Sequence, residues 1–306
     1  MMEKIALGAR GSALARAQTY LVEKAIHAAR PELRIEMKII ATKGDSAKVV
    51  DIRAGWKGLF TVDIERALLA RDIDLAVHSA KDLPSEINCG AEIAAVLPRA
   101  KTDEVLISKH SGSLAGLPSG ATVATGSVRR THQLHWRRPD LKVIDLHGNV
   151  PTRLRKLGEN DWDAIVLARA GLERLGLSLA RNEINFEGRK FFVAILSCEI
   201  FLPAGGQGII ALQIRRNDES SREIVDLIND RDTLLCLRAE REFLRLLQGD
   251  CQSPVGVLAE IENEKMKLYA QIFEHGSALP REGELVGAHD DGEHLAAQLL
   301  KEINGE

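Results

Sequence analysis

The stretch Asp74-Leu75-Ala76-Val77-His78-Ser79-Ala80-Lys81-Asp82-Leu83-Pro84 sets the reading of the rest of the chain. An apolar run, Leu75 to Val77, gives way to a polar turn that displays His78, Ser79, Lys81 and Asp82, and Pro84 stops regular structure. In an open α/β sheet, residues just past the carboxyl end of a strand lie in the crevice where ligands bind. A carboxylate held there, Asp82, can stay ionised and stabilise a cation that develops in a reaction. A solvated turn with an idle Lys81–Asp82 pair is the alternative at this point.

Working outward, Lys4 to Ala9 reads as a buried strand and Ala13 to about Ala29 as a helix capped by Ser12, with Arg10 beside the turn as a possible anion contact. Leu33, Ile35, Met37 and Ile39 alternate with polar residues as in a half-buried strand. Residues 43–58 form a long polar segment of the kind used as lids or binding loops. A helix from Phe60 to Arg71 then leads into the strand before Asp82, so residues 1–97 read as one doubly wound β-α-β-α-β unit.

A second unit is expected from near Thr102, with strands at Glu104–Ser108, Ala121–Ala124, Leu141–Leu146 and Asp163–Ala168. Between two of them lies Thr125-Gly126-Ser127-Val128-Arg129-Arg130, another strand end turning into a helix, with small residues, hydroxyls and paired charge. From Arg129 to Lys156 eight Lys/Arg face two acids, Asp140 and Asp145, in a chain whose net charge is -3. Arg137, Arg138 and Lys156 read as a solvated face; Arg129, Arg130 and Arg153 follow strand ends and read as a pocket for a small polyanion. Gly205-Gly206-Gln207-Gly208, before a strand at Ile209–Ile214, suggests a hinge or a close backbone approach. From about Arg231 a long amphipathic helix, further strands and a closing helix make a small α+β unit.

The composition bounds the function. Aromatics make up 4% of the chain and no nucleic-acid-binding signature is present, which argues against a nucleic-acid partner. No apolar run approaches a membrane span, and the opening residues lack the apolar core of an export signal, so a cytoplasmic location is expected. The four cysteines, Cys89, Cys198, Cys236 and Cys251, form no CxxC pair, and no metal site is expected. Cys251 alone sits in a loop that closes a long helix, Gln248-Gly249-Asp250-Cys251-Gln252-Ser253-Pro254, where a thiol can face a cleft.

Together these stretches resemble the porphobilinogen deaminase (hydroxymethylbilane synthase) family. The resemblance also covers Thr42-Lys43-Gly44-Asp45, Lys57-Gly58-Leu59-Phe60, Gly148-Asn149-Val150, Thr152-Arg153-Leu154 and Leu202-Pro203-Ala204, in order over nearly the whole chain. It implies an α/β fold of two periplasmic-binding-protein-like doubly wound domains plus a small α+β C-terminal domain: residues 1–98 with 209–228, 99–208, and 229–306. It implies a cytoplasmic, monomeric transferase that joins four porphobilinogen molecules, with loss of ammonia, onto a dipyrromethane cofactor bound through a thioether to Cys251. The product is hydroxymethylbilane, of tetrapyrrole and haem biosynthesis.

By the same resemblance, Asp82 is the catalytic residue, and Lys81, Ser127, Arg129 and Arg130 bind the cofactor. Arg10, Ser12, Thr125, His147, Arg153, Arg174 and Gln207 match substrate-binding positions, and Arg53, Lys57 and Phe60 belong to an active-site loop. His147 stands where the family usually has arginine, Gly126 where it has a hydroxyl residue, and Asp250 where it has glycine. The alternative reading is a two-lobed anion-binding protein or an inactive deaminase homologue.

Overall fold

The computed structural model describes residues 3–42, 61–199, 201–249, 253–274, 277 and 279–306. Strand β1 (Lys4–Ala9) is apolar from Ile5 onward and buries those residues. The Ser12 side chain accepts a hydrogen bond from the Ala15 N–H and starts helix α1 (Ala13–Ala29), which buries Gln18, Thr19, Val22 and Ile26 at helical spacing. The chain returns as β2 (Arg34–Ile39), passes through α2 (Val62–Leu69), and enters β3 (Leu75–Ser79), then β4 (Ala91–Val96).

β1 is parallel to both β2 and β3. A much later strand, β11 (Ile210–Arg215), inserts antiparallel between β3 and β4 and completes the order β2-β1-β3-β11-β4. The second sheet repeats this arrangement. It is built from β5 (Glu104–Ser108), β6 (Thr122–Ala124), β7 (Lys142–Ile144), β8 (Ala164–Ala168), β9 (Glu183–Phe186) and β10 (Arg189–Leu196), in the order β7-β6-β8-β5-β10-β9. β6 is parallel to β7 and β8, whereas β5 is antiparallel to β8 and β10. Helices α3 (Val128–Arg137), α4 (Val150–Glu159) and α5 (Arg169–Arg174) follow β6, β7 and β8.

Each sheet thus receives one strand across a crossover, and the two crossovers run side by side. The Leu97 N–H donates to the Ile210 carbonyl at 3.2 Å, the Ala100 N–H to Gly208 at 3.1 Å, and Arg99 Nε to the Gln207 carbonyl at 2.9 Å. Gly206 and Gly208 have φ of +76° and +85°, and a Cβ on Gly206 would come within 3.0 Å of the Ala80 and Lys81 backbone. The close approach expected of this glycine segment is therefore present, and it brings the crossover against the Asp82 turn.

After α6 (Glu219–Asp226) and α7 (Arg231–Leu246), strands β12 (Val255–Glu262), β13 (Lys265–Ile272) and β14 (Arg281–Ala288) form an antiparallel meander, closed by α8 (Gly292–Asn304). One face buries Val257, Ala259, Met266 and Leu268 against Ala239 and Phe243 of α7 and Leu295 and Leu299 of α8. Each large side chain fully withdrawn from water here stabilises by about 1.5–3 kcal/mol.

Three differences from the sequence reading stand out. Strands β4, β9 and β10 and helix α6 were not expected. The Asp82 turn begins later, because β3 continues through Ser79 and Ala80–Asp82 form a single 3-10 turn. His78 is consequently not displayed: it is buried and pairs with Gln213 of β11 at 3.1 Å.

Candidate active site

Asp82 ends the 3-10 turn at the carboxyl end of β3, and it is exposed. Ser79, one turn earlier, faces α1 and accepts from Gln18 Nε2 at 2.8 Å. Lys81 points toward the second lobe, where Nζ donates to Gln207 Oε1 at 3.3 Å; Gln207 is itself fixed by donating to the Thr102 carbonyl at 2.7 Å. Burial, with the Arg130 charge next, pushes the Lys81 ammonium down to about 8, while Asp82 and Glu104 pull the other way.

The opposite wall is the strand end Thr125–Arg130. Thr125 is buried; its N–H donates to the Ile144 carbonyl at 2.9 Å, and its hydroxyl accepts from the Ser127 N–H at 3.3 Å. Ser127 caps α3 by accepting from the Arg130 N–H, which turns Arg129 and Arg130 inward on the helix's first turn. Both are buried, and both reach the Glu104 carboxylate at the start of β5. Burial would raise the Glu104 pKa, but the Arg130 and Arg129 charges hold it well below the usual carboxylate range.

Arg153 of α4 donates through Nε to the Gly148 carbonyl at 2.6 Å; burial and the Arg130 charge bring it down to about 10, and Asp82 opposes that shift. Lys81, Asp82, Arg130 and Arg153 therefore form one electrostatic cluster across the gap between the lobes. A recess beside it is lined by Lys81, Ser127, Arg129, Arg241, Gly249 and Ser253. Gly249 and Ser253 are the described residues nearest in sequence to Cys251.

Arg10 follows β1 and Ser12 caps α1. Arg174 donates to the Gly208 carbonyl at 2.6 Å, and burial lowers it to about 10. His147 is exposed and pairs with Asp145 at 2.6 Å. At Gly126 a Cβ would lie 2.6 Å from the Leu146 carbonyl oxygen, so a hydroxyl residue there would require this backbone to shift. Arg138, read as part of a solvated face, instead donates to the Leu114 carbonyl at 2.8 Å and pairs with Asp140 at 2.7 Å. Arg53, Lys57, Phe60, Asp250 and Cys251 lie outside the described residues.

Sequence reasoning missed Glu104, Arg241 and Glu240. Arg241 Nη2 donates to the Pro84 and Ser85 carbonyls at 2.8 and 2.9 Å, tying α7 to the segment after Asp82, and burial lowers it to about 10. Glu240 carried a signal: it falls on the apolar stripe Thr233, Cys236, Leu237, Phe243 of α7, where a carboxylate needs a partner.

Comparison with known proteins identifies the family. A family model described as porphobilinogen deaminase, dipyromethane cofactor binding domain, matches residues 5–223, and one for the porphobilinogen deaminase C-terminal domain matches residues 234–304. The chain is 41% identical over 304 residues to the porphobilinogen deaminase of Roseiflexus sp. (strain RS-1), covering 99% of this chain and 96% of that one. It is 42% identical over 303 residues to that of Nitrobacter winogradskyi, covering 97% and 92%. Among solved structures, the methionine-binding protein MetQ overlaps 76% of this chain and 92% of its own, at 12% identity and a TM-score of 0.44. With both family models spanning the cleft and the C-terminal unit, and close relatives over almost its full length, the chain belongs to the porphobilinogen deaminase family.

Proposed function

We infer that the protein joins four porphobilinogen molecules head to tail, releasing ammonia at each addition, onto a covalently held dipyrromethane, and frees hydroxymethylbilane. It is a transferase of tetrapyrrole and haem biosynthesis. The observation that carries this reading is the exposed Asp82 carboxylate beside the cations Lys81 and Arg153, with the buried Arg130 acting on both.

The residues present fit a dipyrromethane. Each pyrrole ring bears an acetate and a propionate, and the recess offers Lys81, Ser127 and Arg129, whose buried Nε has no hydrogen-bond partner among the described residues. Lys81, Ser127, Arg129 and Arg130 are assigned to its acid arms, and Cys251 to its attachment. When bound, the dipyrromethane supplies the pyrrole carbon on which chain growth starts.

Arg10, Ser12, Thr125, Arg153, Arg174 and Gln207 are assigned to the acid arms of substrate, with His147 at the edge. Charge-assisted hydrogen bonds from these groups hold an incoming ring in register. Asp82 is the catalytic residue. Loss of ammonia from porphobilinogen leaves positive charge on the substrate, and an ionised carboxylate opposite the pyrrole N–H lowers the barrier by stabilising that charge. Arg53, Lys57 and Phe60 are assigned to a loop over the cleft.

The working units are residues 1–98 with 209–228, 99–208 and 229–306, and the protein acts as a cytoplasmic monomer with no nucleic-acid or membrane partner. No helix among the described residues is long and apolar enough to cross a membrane. Incubating the purified protein with porphobilinogen should release four ammonia molecules for each linear tetrapyrrole. Porphobilinogen bound without ammonia release would instead favour an anion-binding protein.

A further inference from the structure

Glu104 is fully buried, and nothing in the functional reading uses it. Its Oε1 accepts from Arg129 Nη2 at 2.5 Å and Arg130 Nε at 3.0 Å, and its Oε2 accepts from Arg130 Nη2 at 2.7 Å. The far sides of the two guanidiniums are fixed as well. Arg129 Nη1 donates to Gln133 Oε1 at 2.9 Å and to the Leu202 carbonyl at 2.7 Å; Arg130 Nη1 donates to the Val166 carbonyl at 2.9 Å. One carboxylate thus sets the planes of both arginines from behind and leaves Arg129 Nε as a buried donor with no partner among the described residues.

The charge count matters as much as the geometry. Arg129 and Arg130 both act on Lys81, and Arg130 acts on Arg153, so the cluster repels itself. The acids opposing that repulsion at Lys81 are Asp82, which is exposed, and Glu104, which is not. A carboxylate paired with both arginines keeps them side by side in a buried wall where two unpaired guanidiniums would not stay.

We propose that Glu104 is a positioning residue for the reaction: it clamps Arg129 and Arg130 so that their remaining donors meet the acid arms of the cofactor, and its charge supports the ammonium of Lys81. The inference rests on the functional reading above. Among the described residues the charges acting most on Lys81 are those of Arg130, Asp82, Glu104 and Arg129, so removing the Glu104 charge removes a support from the protonated amine.

The test compares wild type, Glu104→Gln and Glu104→Asp, reading the fraction carrying a covalent two-pyrrole mass, KM and kcat of the loaded fraction, and the alkaline limb of kcat/KM. In Glu104→Gln the loaded fraction should fall severalfold, KM should rise about tenfold with less change in kcat, and the alkaline limb should move to lower pH. Glu104→Asp keeps the charge on a shorter arm, so the limb should stay in place while loading remains below wild type. Should Glu104→Gln fail to fold, Glu104→Asp decides: wild-type loading and KM there overturn the proposal, as do unchanged or tighter binding and an unmoved limb in Glu104→Gln. A wild type without the adduct overturns the functional reading and this inference with it; a loaded wild type beside indistinguishable variants overturns the inference alone.

Discussion

The Arg99 guanidinium and the Glu240 carboxylate meet at 2.6 Å where the two crossovers pass the C-terminal unit. Glu240, fully buried, also accepts from the Gly206 N–H at 2.6 Å and the Ala259 N–H at 2.8 Å, while Arg99 reaches the Gln207 carbonyl. One ion pair therefore fastens the segment between β4 and β5, the segment before β11, helix α7 and strand β12. Glu240→Ala strands the Arg99 charge and two backbone donors, and should cost about 3–5 kcal/mol of unfolding free energy. Denaturant titration reads this, and a loss below about 1 kcal/mol would show that the junction does not hold the units together.

Asp82 is exposed, so its replacement should leave folding alone and remove chemistry. Asp82→Asn should keep stability within about 0.5 kcal/mol of wild type and lower kcat at least about a hundredfold. Near-native turnover in this variant would take Asp82 out of the mechanism.

Lys81 should give the reaction an alkaline limit. In the unliganded protein its ammonium titrates at about 8, so acid arms meet a cation below that pH and a neutral amine above it. kcat/KM, which reports the free enzyme, should fall as pH rises through about 8. Bound carboxylates favour the proton, so the limb in kcat should lie at higher pH. Lys81→Arg, which stays charged, should carry kcat/KM flat past pH 9; the same limb in that variant would assign it elsewhere.

His78 contributes to acid sensitivity. Burial pushes it down to about 4 from an ordinary value of 6.5. As pH falls from 6.5 toward 4, the unfolded chain takes a proton that the folded one refuses, so stability present above pH 6.5 is lost across that window. The loss is on the order of 3 kcal/mol. His78→Gln should flatten that part of the stability-versus-pH curve, and an unchanged curve would mean that His78 charges without unfolding the protein.

The features legible in the sequence are those carried by local signals. An apolar run meeting Ser79-Ala80-Lys81-Asp82, and another meeting Thr125-Gly126-Ser127, announce strand ends, and both fall at the cleft. The β9–β10 hairpin gave no such signal, because its two-residue turn is Glu187-Gly188 with φ of +48° and +75°, and glutamate is not a residue that advertises positive φ. His78 misled because its burial depends on the register of β11, 135 residues away. Glu104 looked like the polar start of a strand; only the fold brings Arg129 and Arg130 to it. What escaped the sequence is pairing at long range, which no local composition records.

The central claim is that the protein carries its own primer on sulfur, between the Asp82 carboxylate and the cationic wall. Intact-mass measurement on the freshly purified chain tests this most directly. The mass should exceed that of the sequence by two pyrrole units, and the excess should vanish in Cys251→Ser. An unmodified wild-type mass after exposure to porphobilinogen, or an excess that survives Cys251→Ser, would contradict the account.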